Sequence, residues 1–201
     1  MSKKIIVNHL NIIRKLNDNA EPAKVDSLSR GKRIYNFSCN DVKRVFFIIE
    51  GDFFLRSSET GKIIKVISAP FVIGAMPSLE PLPVFIEMID YGKIKSIDYH
   101  YFWSLVNYQG LLPDAMTVMS GYHTDLMKFI NSHNENNEKH VRTLVDRWKY
   151  HPGHIKKKIS LLFFITNSTF MSKSTAARII KRMKETGCIN LKNGRLVVDE
   201  N

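Results

Sequence analysis

Met171-Ser172-Lys173-Ser174-Thr175-Ala176-Ala177-Arg178-Ile179-Ile180-Lys181-Arg182-Met183-Lys184-Glu185-Thr186-Gly187 is the stretch whose reading decides the fold. Ser172 is a good N-cap and Gly187 a good stop, so the spacing predicts a helix over residues 173–186. Within it Ala176, Ile179, Ile180 and Met183 recur at i, i+3, i+4 and i+7 and form one apolar face. Lys173, Ser174, Ala177, Arg178, Lys181 and Lys184 form the opposite face, which is cationic and small near its start. Upstream, residues 159–166 read as an apolar helical segment, followed by a polar break at Asn167-Ser168-Thr169. Downstream, Ile189-Asn190-Leu191 and Leu196-Val197-Val198 flank Lys192-Asn193-Gly194-Arg195, and Asn-Gly between alternating runs is a strong hairpin signal. Helix, turn, capped basic helix and basic hairpin, in that order, predict a winged helix-turn-helix over about residues 155–201.

Such a helix has the dimensions and charge to enter a DNA major groove. The expected DNA-binding residues are Ser172, Lys173, Ser174, Thr175, Arg178, Lys181 and Arg182 on the helix, with Lys192 and Arg195 on the wing. Ser172 and Thr175 are placed for phosphate contacts at a helix N-terminus. The alternative left open is a ligand-sensing signalling module whose winged helix contacts a protein partner.

Charge favours a polyanion. The 201-residue chain has a formal charge of +11, and residues 136–201 carry 14 Lys/Arg against 5 Asp/Glu, whereas residues 1–135 carry 16 against 14. The cationic excess therefore belongs to the same third of the chain as the basic helix.

Working toward the N-terminus, residues 111–130 carry two apolar stripes. Leu112, Met116, Met119, His123, Leu126 and Ile130 form a heptad-like seam, expected to be a dimer interface; Leu111, Ala115, Val118, Tyr122 and Phe129 lie beside it. A single broad core-facing stripe in a monomer is the other reading. Between about residues 28 and 98 the pattern changes to six or seven short apolar or alternating runs. Their breaks fall at Gly51, at Glu59-Thr60-Gly61, at Ala69-Pro70, at Pro81 and Pro83, and at Tyr91-Gly92. With no helices between them, these runs predict an antiparallel sandwich or barrel. An amphipathic helix over residues 5–16 precedes it and a short helix over 99–106 follows. Residues 132–138, Ser-His-Asn-Glu-Asn-Asn-Glu, are polar and turn-prone and are expected to form a hinge.

Much else is excluded. Cys39 and Cys188 are the only cysteines, so neither a disulfide framework nor a zinc site is expected. Cys188 is expected to pack beneath the wing. Cys39, flanked by the cations Lys43 and Arg44, is a candidate redox thiol or an incidental one. His151 and His154 lie in an expected loop without carboxylate or thiolate neighbours to complete a metal site. No nucleophile elbow, P-loop, HExxH or paired-carboxylate pattern appears, so no enzyme is indicated. Neither a signal peptide nor a run of 18 apolar residues is present, which suits a cytoplasmic protein with no membrane partner.

Residues 171–183 resemble the recognition helix of the cyclic-AMP receptor protein/FNR superfamily, commonly Ser-Arg-Glu-Thr-Val-x-Arg-Ile-Leu-x-x-Leu. On that resemblance Ser172 and Thr175 fall on phosphate-contacting positions, and Lys173 and Arg178 on base-reading ones. Ser174 replaces the usual Glu, and Phe170 stands at the usual turn glycine. Residues 45–51, Val-Phe-Phe-Ile-Ile-Glu-Gly, and 71–74, Phe-Val-Ile-Gly, look like the family's strand and glycine turn and the entry to its phosphate cassette. Ala75 stands where nucleotide binders place a ribose-holding Glu, Leu82-Pro83 stand near the expected Arg-Ala, and no Arg occurs between Arg56 and Arg142. The resemblance implies an α+β fold in three parts: a cyclic-nucleotide-binding-like β-roll (residues 1–110), a dimerisation helix (111–133) and a winged-helix DNA-binding domain (134–201). It implies a homodimeric transcription regulator that reads a roughly palindromic site in double-stranded DNA and has RNA polymerase as a candidate partner; the departures at Ala75, Leu82 and Pro83 predict that it binds no cyclic nucleotide, and no other cofactor is expected. The layout and residues 161–198 look most like the IprA-like enterobacterial branch, associated with resistance to hydrogen peroxide.

Overall fold

A computed structural model describes residues 3–29, 31–77, 83–132 and 136–197. His133, Asn134 and Glu135 of the expected hinge, Leu82 and Val198 lie outside them. The chain forms two compact units, Met1–Leu126 and Met127–Asn201.

The first unit is a β-roll with helices on one face. Helix α1 (Lys3–Leu16) leads through a 3-10 turn (Asn17–Asn19) into β1 (Glu21–Pro22), β2 (Ser27–Ser29), β3 (Lys32–Asn36), β4 (Ser38–Cys39), β5 (Val42–Ser57), β6 (Ile63–Ser68), β7 (Phe71–Ile73) and β8 (Val84–Asp98). Then come α2 (Tyr99–Tyr108) and α3 (Leu112–Ser132). Strand β5 is the spine, pairing antiparallel with β4, β6, β7 and β8.

The run Val45-Phe46-Phe47-Ile48 is apolar at every position because β5 is buried on both faces. Successive side chains point opposite ways. Val45 and Phe47 meet Ile12, Leu16, Phe102, Val106, Ala115 and Val118 of the helices. Phe46 and Ile48 meet Tyr35, Phe53, Phe71, Ile86 and Met88 inside the roll. Each such side chain contributes roughly 1.5–3 kcal/mol by leaving water.

The sequence reading placed breaks at Gly51 and at Tyr91-Gly92; the structure has none there. β5 and β8 each run through, with Gly51 opposite Gly92 and the register shifting on either side. A Cβ at Gly51 would lie 2.1 Å from the Tyr91 carbonyl oxygen, and one at Gly92 would lie 2.7 Å from the Phe53 ring. These glycines let two long paired strands approach closely where their register shifts, rather than ending them.

Inside the first unit the helices and cations are tied down individually. His9 of α1 is buried, stacks on Phe71 at 4.2 Å, and its Nδ1 accepts the Val72 N–H at 2.9 Å, so the proton of the neutral ring sits on Nε2. Burial, and then the nearby Lys65 charge, lower its pKa to about 4. Lys65 pairs with Asp125 of α3. Leu111 just before α3 and Ala115 and Val118 within it are buried, and Tyr122 packs on the roll interior, where burial pushes its hydroxyl pKa up to about 12.

The second unit is a helical domain with a hairpin: α4 (Asn137–Lys149), α5 (Gly153–Lys158), α6 (Leu161–Ser168), α7 (Lys173–Glu185), β9 (Asn190–Lys192) and β10 (Arg195–Val197). Its core joins Val141, Leu144, Val145 and Trp148 of α4, Leu161, Phe164 and Ile165 of α6, and Ala176, Ile180 and Met183 of α7. Trp148 stacks on Phe164 at 4.3 Å. Three local expectations change. Asn136, placed in the hinge, is the N-cap of α4, accepting the Lys139 N–H at 2.8 Å. The loop expected around His151 and His154 contains the short α5. Helix α6 starts at Leu161 rather than 159 because the Ser160 hydroxyl caps it through Phe163 N–H at 3.1 Å.

Candidate nucleic-acid interface

Helix α7 is fixed at both ends by its own sequence. Ser172 Oγ accepts the Thr175 N–H at 3.1 Å and lies 2.9 Å from both Ser174 Oγ and Thr175 Oγ1. At the far end Gly187 has φ +71°, Gly187 N–H donates to Lys184 O at 3.1 Å, and Cys188 N–H donates to Met183 O at 2.9 Å. These are the two bonds of a Schellman stop, which needs a left-handed residue where Gly187 stands.

Burying Ala176, Ile180 and Met183 turns Ser174, Arg178 and Lys181, at i, i+4 and i+7, directly outward. All three are exposed, as are Ser172 and Lys173, while Thr175 is half-buried. Arg182 is placed differently from the rest. Its Nη1 lies 3.4 Å from Glu138 Oε2 on α4, and Glu138 also holds Arg142 at 3.2 Å. Lys181 lies 3.8 Å from Glu185, an exposed pair of little strength.

Phe170 leaves the turn unstrained. The non-glycine residues at positive φ among those described are Asn40, Asp41 and Asn193, so this turn does not require the glycine that Phe170 replaces. The Phe170 side chain is instead 64% exposed at the corner between α6 and α7.

The wing is a two-residue hairpin with Asn193 at φ +51° and Gly194 at φ +72°, the paired left-handed geometry of a type I′ turn. Lys192 and Arg195 are cross-strand partners flanking that turn, both exposed. Leu196 and Ile189 anchor the hairpin in the core. Cys188 does not pack beneath it: the thiol is exposed, with Thr186 Oγ1 donating to Sγ at 3.2 Å, and Ile189 fills the buried place.

The other sequence candidates scatter. On α3, Leu112, Met116 and Ile130 are exposed to about half, His123 is exposed, and Met119 and Leu126 are half-buried. Cys39 is exposed in β4 beside the Asn40-Asp41 turn. Arg44, expected near it, instead donates from Nη2 to both Asp26 carboxylate oxygens at 2.7 and 2.9 Å. His151 packs against Trp148, and no group of His, Cys, Asp or Glu among the described residues is arranged to hold a metal.

Ala75 is buried and its methyl offers a ribose nothing. Gly74, at φ +95°, lies so close to Arg44 O and the Phe37 ring that a Cβ would meet them at 2.6 and 2.9 Å. Arg56 is committed: Nη1 donates to Gly61 O at 2.7 Å, Nη2 to Glu87 Oε1 at 3.3 Å, and Nε makes a poorly aligned ion-pair contact with Glu87 Oε2 at 2.9 Å. The sequence holds no Lys or Arg between Lys65 and Lys93, so the expected phosphate cassette has no cation of its own.

No family model matches the chain, and no curated protein is significantly similar to it in sequence. Solved structures do share its fold. CLP, a c-di-GMP-responsive global regulator of Xanthomonas campestris, is 10% identical with a TM-score of 0.64, covering 96% of this chain and 100% of its own. A CooA variant from Carboxydothermus hydrogenoformans is 12% identical with a TM-score of 0.62, covering 84% of this chain and 83% of its own. A CRP/FNR-family putative transcriptional regulator from Eubacterium rectale is 15% identical with a TM-score of 0.60, covering 94% of this chain and 89% of its own. The chain therefore has the α+β architecture of the cyclic-AMP receptor protein/FNR regulators, a β-roll with a winged helix-turn-helix. No helix among the described residues is long and apolar enough to cross a membrane.

Proposed function

We propose that this chain is a sequence-specific DNA-binding transcription regulator whose winged-helix domain, residues 134–201, reads the major groove through α7. The observation that carries this reading is the outward stripe Ser174, Arg178 and Lys181 on a helix capped by Ser172, with exposed Lys192 and Arg195 on the wing. Arg178 is long enough to make a bidentate contact to a guanine edge. Ser172 and Thr175 meet the phosphate backbone at the helix N-terminus, and Lys173 stands beside Arg178 for base reading. Arg182, held by Glu138, acts on the backbone beside the groove rather than within it.

The exposed seam of α3, with Leu112, Met116 and Ile130 turned away from the buried Leu111, Ala115 and Val118, supports a homodimer and hence a roughly palindromic site. Light scattering that gives a monomer at micromolar concentration would refute that seam. The Ala75 methyl and the committed Arg56 support a regulator that does not respond to cyclic nucleotides. We place its role in resistance to hydrogen peroxide on the resemblance of residues 161–198 to the IprA-like branch; genome-wide mapping of bound DNA with and without peroxide tests that context, and RNA polymerase as partner is tested by transcription from the mapped promoters.

The direct test is retardation of chromosomal DNA fragments by the purified protein at low salt. Retardation of a subset that survives competitor DNA is expected. No retardation of any fragment, with binding to a cellular protein retained, would overturn it in favour of a winged helix that contacts a protein.

A further inference from the structure

Helix α5 (Gly153–Lys158) is short and ends in Lys156-Lys157-Lys158. Buried Ile155 and Ile159 pin the segment to the domain, which leaves Lys157 and Lys158 exposed and Lys156 half-buried. Lys156 Nζ donates to Lys149 O at 2.9 Å, so part of its role is to close the end of α4. Lys157 lies two residues from Ile155, on the opposite side of the helix from the core. One cation near a helix C-terminus suffices to offset the helix dipole. The run adds positive potential beside a wing that is also cationic, which attracts a polyanion.

The packing puts this run beside the wing. Helix α5 lies against β10. The chain then turns into α6 with Leu161 N–H donating to Gly194 O at 3.1 Å, and a Cβ on Gly194 would lie 3.9 Å from Ser160 Cβ. The wing turn flanked by Lys192 and Arg195 therefore touches the residues that directly follow the lysine run. From 153 to 201 the sequence holds ten Lys/Arg against three carboxylates, Glu185, which faces Lys181, and Asp199 and Glu200 after β10. The cationic surface does not end at the wing; it continues onto α5.

We infer that the α5 lysines are a second phosphate-binding patch, contacting the backbone of double-stranded DNA outside the base pairs that α7 reads. This rests on the DNA reading proposed above and deepens it. The wing turn and the lysine run form one surface, so the occupant of one reaches the other; a backbone of regularly spaced phosphates fits that continuity. The lysines add no sequence information. They lengthen the electrostatic contact and raise the salt dependence of binding to any duplex.

The test is a salt titration of the intact protein on a long mixed-sequence duplex, comparing wild type with K156Q/K157Q and with K157Q alone, which spares the Lys149 contact. Lys24→Gln, at an exposed residue of the β-roll, is the control. The slope of log K against log salt should shrink by about 0.9 for each lysine that meets a phosphate, in each subunit, with the control unchanged. An unchanged slope in both α5 variants while wild type binds the duplex overturns the patch and leaves the DNA reading standing. An unchanged slope with loss of promoter activity also overturns it, assigning the lysines to an acidic protein surface. Failure of the wild type to bind any duplex is a different result, which overturns the DNA reading itself.

Discussion

Among the described residues the well-covered ion pairs lie in the first unit, and the exposed basic helix and wing lie in the second. In the β-roll, Arg44 is held by Asp26, Arg56 by Glu87 and Lys65 by Asp125, all largely removed from water. In the winged-helix unit, Lys173, Arg178, Lys192 and Arg195 are exposed, and Arg182 alone of the expected interface residues reaches across to another helix. The lesson is about what a charge is for. A buried arginine with a matched carboxylate is satisfied in place and has no capacity left for a ligand; a row of exposed ones on a packed helix contributes little to folding and is available to a polyanion.

The contrast is most easily broken in the roll. Arg56→Leu leaves Glu87 buried without its partner and should destabilise the first unit by about 3–5 kcal/mol, read as a lowered denaturation midpoint. Replacing both, Arg56→Met with Glu87→Met, should recover most of that loss. A single variant as stable as wild type would show that the pair is not the anchor described.

His9 gives a pH-dependent effect of up to about 3 kcal/mol. Its folded pKa of about 4 lies below the unfolded value of 6.5, so the unfolded chain binds the extra proton first. Stability from the buried neutral ring is complete above pH 6.5 and is lost as pH falls toward 4. Lys65→Met removes the repelling charge, raises the His9 pKa and narrows that window, which an NMR titration of the ring detects. A His9 that titrates near 6.5 in the folded protein would contradict its burial.

In the other unit the effects are smaller and fall on binding rather than stability. Lys192→Gln or Arg195→Gln should weaken all duplexes alike and reduce the salt slope by about 0.9 each, with the thermal midpoint nearly unchanged. Smallest of all, Cys39→Ser should leave DNA affinity unaltered; a blunted response to peroxide in that variant would instead make Cys39 a sensor.

Helix α7 and the wing were legible because their signals are local. Ser172, Gly187 and Asn193-Gly194 act through hydrogen bonds and dihedral angles within a few residues, and the apolar period of α7 selects its buried face. The two stripes of α3 were legible for the same reason. What escaped depends on contacts distant in sequence. Gly51 and Gly92 look like strand ends until they are seen opposite each other, where their missing Cβ atoms allow a close approach. Arg182 looks like its neighbours until Glu138, 44 residues away, takes it. Cys188, next to Gly187, reads as a residue beneath the wing, but the chain leaving the Schellman turn puts Ile189 there instead. Helix α5 is too short for periodicity to show.

The central claim is that Arg178 reads bases. Once a bound site has been mapped, titration of wild type and Arg178→Ala against that site and a scrambled duplex, at one fixed salt concentration, tests it most directly. The variant is expected to lose about 1–3 kcal/mol on the mapped site and much less on the scrambled one, so that discrimination collapses. Undiminished discrimination by Arg178→Ala would contradict it.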